Sequence, residues 1–487
     1  MKLKNYRSAN VPHIKTLGLS VLLVLLGGCA VGPRYQDPSP ALFAKTPKWS
    51  APLLPAHKGE VAELKNWWAS FNDPLLSELI STTQADNPTV AVAAARIEQS
   101  RANLRSASAG SLPTLDGSLT AGRRSAMPPG TRNTPQIGID ANWELDLFGS
   151  VTRSKNIAQL QTESAQGAWH DARVTLGAEV ALLYTQLKTC ELTGTIQQLD
   201  VSSQAKTLAL TAQKVAAGFT APAEASLLRA NVANAQNQLQ ANLSDCASLI
   251  NSLSYLSGVS SDVIAARSKV QTGVMPKPAT FDIPVIPAQL LMQRPDLVSQ
   301  ERQLAAALED VGLAVAGQYP RILLNGNIGV TTARLIGEGK EKPTWQFGLN
   351  IDIPLFDAGR RAAAVDGSKA RLAEQQALTQ LKVTGAVRDV QESLIRLSAA
   401  NQKEANANAA TKDFEAYFAA AQTRWNVGVG TLLELEEARR LSMNAKLALI
   451  QLERERIVQW INLYKSVGGG WNQTALADIA TSSAANK

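Results

Sequence analysis

Two cysteines near the middle of the chain have a spacing that suits a disulfide bond. Cys190 and Cys246 lie equally far in sequence on either side of Gly218, a residue type that forms sharp turns. If two helices meet at Gly218 in an antiparallel hairpin, both thiols lie at one height, roughly 42 Å from the turn at 1.5 Å per residue. An oxidising compartment would join them as a disulfide. The alternative is two buried thiols that act as small hydrophobic side chains.

Cys29, the third cysteine, ends a segment with the features of a secretory signal. Four basic residues precede an apolar run from Leu17 to Leu26, which is too short to span a bilayer as a helix. The run ends in Leu26-Gly27-Gly28-Cys29, which resembles a bacterial lipobox, whose cysteine is diacylated and becomes the mature N-terminus. Ala30 stands where an Asp usually retains lipoproteins in the inner membrane, which favours the outer membrane. The alternative is an ordinary cleaved signal peptide with an incidental cysteine.

The formal charge of +7 over 487 residues suggests an anionic partner, but the signal carries more than half of it. Residues 1–28 contain four basic residues and no acidic ones. No basic stripe with interleaved aromatic residues follows, so we expect no nucleic-acid partner.

The sequence offers no catalytic or metal-binding pattern. The three histidines are scattered, and His13 leaves with the signal. Neither an HExxH motif nor a Walker loop occurs, and Gly428-x-Gly430 fits a turn between helices better than a nucleotide site. We therefore expect neither an enzyme nor a bound metal or cofactor.

The elements that position these residues occur twice. Six landmark pairs follow one order at a nearly constant separation: Pro88 and Pro295, Pro113 and Pro320, Phe148 and Phe356, Gly218 and Gly428, Glu224 and Glu434, and Gly258 and Gly468. Such regularity predicts an internal two-fold repeat.

Each repeat contains two segments in which apolar and polar residues alternate. The clearest are Ile137 to Leu147 and Trp345 to Leu355, with partners at Leu115 to Thr120 and Ile322 to Thr331. Alternation predicts strands with one apolar and one polar face. Runs of about ten residues match a transmembrane β-strand. The alternative is a soluble, half-buried sheet, whose strands average about 5–6 residues.

The rest of each repeat is predicted to be a long helical hairpin. No proline interrupts Ser150 to Ala216 or Arg360 to Asn426, and each stretch would form a helix about 100 Å long. Apolar residues recur with the three- and four-residue steps of a coiled coil. Gly218 and Gly428 follow the two stretches, so we expect each helix to turn back there.

Four strands per chain cannot close a transmembrane barrel, because the smallest barrels have about eight strands. An open sheet edge in lipid leaves unsatisfied backbone groups that cost several kcal/mol each. Several copies must therefore share one barrel under cyclic symmetry. Two copies give eight strands and three give twelve.

The chain resembles the TolC-type outer-membrane efflux proteins, in particular the lipoprotein partners of resistance-nodulation-division pumps. The motifs that carry the resemblance are Cys29 to Tyr35, Trp67-Trp68, Phe71 to Leu75, Arg294 to Leu297, Pro354 to Gly359 and Tyr464 to Trp471. The resemblance implies a mostly α protein that forms a homotrimer. Its 12-stranded β-barrel in the outer membrane would continue into a long α-helical coiled-coil barrel in the periplasm.

The implied function is the exit duct of a tripartite efflux system. It would passively conduct small molecules such as drugs from an inner-membrane pump and a periplasmic adaptor to the exterior. A type I protein secretion duct is the second choice, and a structural trimeric coiled-coil surface protein the third.

The resemblance also assigns roles to residues at the two turns. Leu433 would form a leucine ring and Glu437 an acidic ring that narrow the periplasmic end, with ordinary coiled-coil packing and a solvated charge as the alternatives. The adaptor would dock on Ala217-Gly218-Phe219 and Val427-Gly428-Val429, where the glycines act as turn formers in either case.

These features divide the chain into six predicted segments. They are a signal peptide (1–28), a lipidated N-terminal segment with an equatorial region (29–70), the first repeat (71–272), a linker (273–290), the second repeat (291–470) and a C-terminal tail (471–487).

Overall fold

The computed structural model describes residues 31–33, 61–126, 130–133, 136–271, 274–277, 294–335 and 338–470. The helices are α1 (Pro74–Asp86), α2 (Pro88–Ala109), α3 (Ser150–Ala216), α4 (Pro222–Ser257), α5 (Ser261–Ser268), α6 (Pro295–Ala316), α7 (Arg360–Asn426) and α8 (Leu432–Ser466), with 3-10 helices at Val61–Phe71 and Lys269–Gln271. The strands are β1 (Thr114–Thr120), β2 (Arg123–Ala126), β3 (Gly130–Asn133), β4 (Gln136–Leu145), β5 (Arg321–Leu335) and β6 (Glu338–Asp352). The predicted signal, Cys29, most of the linker and the tail lie outside the described residues.

The element order repeats, as the sequence predicts. A shorter helix, paired strands, a 67-residue helix and a returning helix occur in each half, and α3 and α7 have the predicted bounds. The mostly helical fold with a four-stranded antiparallel sheet is confirmed. Among the described helices, none is both long enough and apolar enough to cross a bilayer.

Two compact units draw on both repeats. The first contains 97–165, 300–379 and the described residues 31–33, and it holds both sheets. The second contains the described parts of 38–96, 166–299 and 380–487, including both hairpin turns. Helices α2, α3, α6 and α7 contribute residues to both units.

The main sheet of the first unit is antiparallel in the order β1-β4-β5-β6. Its register places apolar side chains opposite one another, such as Ile139 opposite Ile328 and Ile328 opposite Trp345. These side chains are exposed, so one face of the sheet is apolar and uncovered in the single chain. The other face is polar: Asp140 accepts hydrogen bonds from Ser118 at 2.7 Å and from Asn327.

Strand β4 ends at Leu145, two residues before the end of the alternating pattern. Asp146 instead caps α3, because its carboxylate accepts hydrogen bonds from the backbone N–H groups of Val151 and Thr152 at 3.0 and 2.8 Å. A separate two-stranded pair, β2 with β3, was not predicted from the sequence.

A large apolar core of the second unit lies around α3, α4, α7 and α8. Near the C-terminal end of α8, Trp67 stacks on Tyr464 with ring centroids 4.7 Å apart. Asp73 caps α1 and accepts a 2.6 Å hydrogen bond from the buried hydroxyl of Tyr184. These contacts fix the 3-10 helix and α1 against α3 and α8.

Candidate functional site at the hairpin turns

Both hairpin turns have the same backbone arrangement, as their glycines predict. Gly218 and Gly428 adopt left-handed φ angles of 79° and 82°. The N–H of Phe219 donates to the Lys214 carbonyl at 2.9 Å, and the N–H of Val429 donates to the Arg424 carbonyl at 3.0 Å. This is the helix-ending Schellman pattern, in which glycine avoids the steric penalty of a Cβ.

The side chains at the turns point away from the protein. Phe219 is 83% exposed, and Val427 and Val429 are nearly as exposed. Among the described residues, no heavy atom beyond the adjacent residues of the chain lies within 4 Å of the position that a Cβ on Gly218 or Gly428 would occupy. The turns therefore present a small apolar surface with open space around it.

A compact core lies directly beneath the turns. Trp425 is buried with Leu228, Leu432 and Leu435, and Leu208 and Phe418 pack against this group. The ammonium group of Lys214 lies 4.0 Å from the ring centroid of Trp425, a cation–π contact between α3 and α7. All four long helices contribute to this core, so the two turns are held together.

Gly430 serves the second turn in a different way. Its φ is not in the left-handed region, but a Cβ on Gly430 would lie 3.0 Å from the backbone nitrogen of Trp425. Thr431 then caps α8 by accepting a 3.1 Å hydrogen bond from the Glu434 N–H. Arg424 pairs with Glu434 across the turn at 2.6 Å.

Leu433 and Glu437, the predicted gate residues, both lie on the exposed side of α8. Leu433 is 81% exposed, whereas Leu432 and Leu435 are buried. Within the single chain Leu433 is therefore not an ordinary core residue. Arg440 donates two hydrogen bonds to the Glu437 carboxylate, which lower the pKa of Glu437.

Arg439, the neighbour of Arg440, is buried and connects α8 to α3. It forms an ion pair with Glu436, donates a 2.8 Å hydrogen bond to the Thr207 hydroxyl and lies 4.0 Å from the Asp200 carboxylate. Burial raises the pKa of both Glu436 and Asp200, and Arg439 opposes that rise. The sequence does not single out Arg439, because two adjacent arginines do not reveal which of them is buried.

The structure brings Cys190 and Cys246 together as a disulfide between α3 and α4, with their Cα atoms 5.7 Å apart. The Asn242 side chain donates a 3.0 Å hydrogen bond to the Cys190 carbonyl beside it. This pairing places the two residues at one height of the hairpin.

Within the described ranges, no group of three or more His, Cys, Asp or Glu side chains could hold a metal ion. His170 is buried on α3, and burial together with Arg173 lowers its pKa to about 4. It is therefore neutral at physiological pH.

The sequence pattern of outer membrane efflux proteins matches residues 79–259 and 286–469, which together form most of the chain. The chain belongs to the outer membrane efflux protein family. The two matched ranges each contain one long helical hairpin and its turn.

Several outer membrane efflux proteins are similar to this chain over nearly its whole length. The solvent efflux pump outer membrane protein SrpC of Pseudomonas putida is 28% identical over 467 residues, covering 92% of this chain and 97% of SrpC. Outer membrane protein OprJ of Pseudomonas aeruginosa is 27% identical over 468 residues, covering 94% of this chain and 96% of OprJ. The solved structure of the outer-membrane channel OprN matches with 26% identity and a TM-score of 0.79, over 91% of this chain and 100% of that one.

As an outer membrane efflux protein, the chain is a transport protein of the outer membrane. This result favours the efflux duct over the protein-secretion and surface-protein alternatives.

Proposed function

We propose that this chain is the exit duct of a tripartite efflux system and works as a homotrimer. Three copies of the β1-β4-β5-β6 sheet would close a 12-stranded barrel, continued by a tube of α3, α4, α7 and α8. The open sheet is the observation that carries this proposal. Strands β1 and β6 each pair on one side only within the described sheet, and its apolar face is uncovered. Lipid tolerates neither unpaired edge, so neighbouring copies would pair them.

The hairpin turns are the proposed docking surface for a periplasmic adaptor, which would link the duct to an inner-membrane pump. Ala217-Gly218-Phe219 and Val427-Gly428-Val429 form this surface. Exposed apolar side chains on a rigid support suit protein recognition, because little conformational entropy is lost on binding. The shared core around Trp425 would hold both turns in one arrangement.

Leu433 and Glu437 are the proposed periplasmic gate. Both side chains face away from the protomer core, which is where a ring around a shared axis requires them. Three leucines would narrow the opening, and three carboxylates would attract cations and repel one another. Separation of the helices would widen the opening.

Cys29 is the proposed lipid attachment site after removal of residues 1–28. Acyl chains there would anchor the chain, since each buried methylene contributes about 0.8 kcal/mol. The same exported location would keep Cys190 and Cys246 oxidised.

Small apolar or amphipathic toxic molecules are the proposed cargo. The names of the relatives, among them a solvent efflux protein and a toluene efflux protein, support this class. The pump would select the molecules and the duct would conduct them.

Deletion of the gene in a cell with the pump and adaptor intact tests the proposal. We expect lower tolerance of solvents, dyes and antibiotics, restored by the full-length chain. Unchanged tolerance would reject the efflux function, and a simultaneous loss of protein export would favour a type I secretion duct. Chemical cross-linking in membranes should give trimers as the largest species.

A further inference from the structure

A short stretch just after Cys29 is bound by a buried arginine. The Arg153 side chain, in the first turn of α3, is 4% exposed. Its Nη2 donates to the Val31 carbonyl at 2.6 Å, and its Nη1 donates to the Pro33 carbonyl at 3.2 Å. The guanidinium group thus binds two main-chain carbonyl groups of residues 31–33.

Glu309 on α6 balances the charge of this arginine. Its Oε2 lies 2.9 Å from Arg153 Nη1, and both side chains are largely shielded from water. A buried guanidinium group requires such a counter-charge and hydrogen bonds for its remaining donors. Residues 31–33 supply acceptors for both terminal nitrogens of Arg153, and Nη2 bonds to the Val31 carbonyl whereas the ion pair with Glu309 is made by Nη1.

Glycines provide the space for this arrangement. A Cβ on Gly312, in the next turn of α6, would overlap the Arg153 guanidinium group. A Cβ on Gly32 would lie 3.0 Å from the Gly312 Cα, and Gly32 has a left-handed φ of 95°. Larger residues at either position would separate the segment from α6.

We propose that Arg153, Glu309 and Gly312 form a binding site for the chain that leaves Cys29, and that this site fixes where the lipid anchor sits. Only Ala30 separates Cys29 from Val31 in the sequence, and two residues of extended chain reach at most about 7 Å. Arg153 follows the β4-to-α3 junction. The acyl chains are therefore held at the end of the membrane strands and do not swing on a long tether. Only this last step rests on the proposed lipidation of Cys29.

A spin label measures the docking directly. The label is attached to the thiol that Pro33→Cys introduces into the full-length protein in phospholipid vesicles, and its mobility is read from the spectrum. We expect slow, nanosecond motion in the otherwise native chain, and motion about tenfold faster after Arg153→Ala or Gly312→Ala. Arg302→Ala is the matched control, because Arg302 on α6 pairs with Glu163 on α3 in the same unit, and no described hydrogen bond or ion pair joins it to residues 31–33.

Each outcome decides the proposal. An equally slow label in Arg153→Ala would overturn it, as would equal loosening in Arg302→Ala. If Arg153→Ala does not fold, Arg153→Lys provides the test. Lysine keeps the charge opposite Glu309 but lacks the guanidinium group that binds two carbonyls at once, so the label should still become more mobile. A Cys29→Ala chain exported by an ordinary signal should keep a slow label, because the site binds the main chain. A mobile label there would show that the lipid holds the segment. None of these readouts depends on transport, so failure of the efflux proposal would leave them unchanged.

Discussion

Arg440 holds Glu437 through two hydrogen bonds, from Nε to Oε2 at 3.0 Å and from Nη2 to Oε1 at 2.6 Å. The two residues lie one turn apart on the exposed side of α8. If three copies form the proposed acidic ring, each carboxylate in it would carry a bound arginine, and the selectivity of the ring would depend on both residues.

Replacement of Arg440 by Ala should unmask the negative charge of Glu437. We expect the cation-to-anion permeability ratio in planar bilayers to rise about threefold or more, because an uncompensated carboxylate ring concentrates cations. Glu437→Gln should lower the ratio instead. Because the pKa of Glu437 is lowered, its carboxylate is fully charged at any pH above the ordinary glutamate pKa. The charge is lost only when the pH falls through the lowered pKa. Loss of Arg440 should move that transition to higher pH; an unmoved transition would contradict the pairing.

Leu433 and Leu435 provide a matched pair that separates gating from stability. Leu433→Ala should change the free energy of unfolding by no more than about 0.5 kcal/mol, since the side chain is exposed. Leu435 is 1% exposed, and Leu435→Ala should cost about 2–5 kcal/mol. Only Leu433→Ala should make cells more permeable to large antibiotics without loss of folded protein. Thermal unfolding and drug uptake measure the two effects, and equal destabilisation would place Leu433 in the core.

Arg439→Ala should destabilise the protein by about 3–5 kcal/mol, because Glu436 and Asp200 would remain as shielded charges without their partner. The exposed Arg440→Ala is the control and should have little effect. Burial already raises the pKa of both acids. When the pKa of an acid is higher in the folded state than in the unfolded state, protonation at low pH favours the folded state. That stability is lost as the pH rises through the pKa of the folded state. The Arg439→Ala protein should therefore recover part of its stability at pH 5 relative to pH 8, as measured by denaturant unfolding.

The disulfide between Cys190 and Cys246 should stabilise the chain by about 4 kcal/mol, given the 56-residue separation that it closes. The Cys190→Ser, Cys246→Ser double variant should lose that amount in denaturant unfolding. Reducing agent should lower the stability of the native chain but not that of the double variant. Free thiols at both positions in non-reducing mass spectrometry would show that the bond does not form in the cell.

Phe219→Asp should abolish efflux while leaving the fold intact, because the side chain is 83% exposed at the first turn. Tolerance of dyes and solvents should fall to that of the deletion strain, with normal amounts of trimer in the membrane. Tyr255→Asp is the matched control: Tyr255 is 84% exposed but lies near the other end of α4. Normal tolerance in Phe219→Asp would exclude this turn from adaptor docking.

Local rules were enough to predict the long elements. Pro222 and the glycines after each long helix fix the helix ends, and alternation identifies β4 and β6, because these signals act within a few residues. The repeat then gives the fold class. The β2–β3 pair escaped prediction because Arg123-Arg124 and Pro128-Pro129 carry no alternation.

Long-range polar contacts could not be predicted in the same way. Arg153 and Glu309 are 156 residues apart in sequence and meet only when α3 and α6 pack. The run Leu432-Leu433-Glu434-Leu435 likewise has three leucines and no clear helical phase. Only the core around Trp425 decides that Leu433 is the one left outside.

The unfinished sheet has a consequence for biogenesis. A newly exported chain carries an apolar face, and two strand edges that are unpaired within the described sheet, through an aqueous compartment. Such edges readily pair with one another in the wrong register. The exported chain must therefore reach the membrane quickly, or a chaperone must cover the sheet until it does. Synthesis faster than this escort should lead to aggregation and proteolysis, so we expect the supply of such a chaperone to limit how many ducts a cell can build.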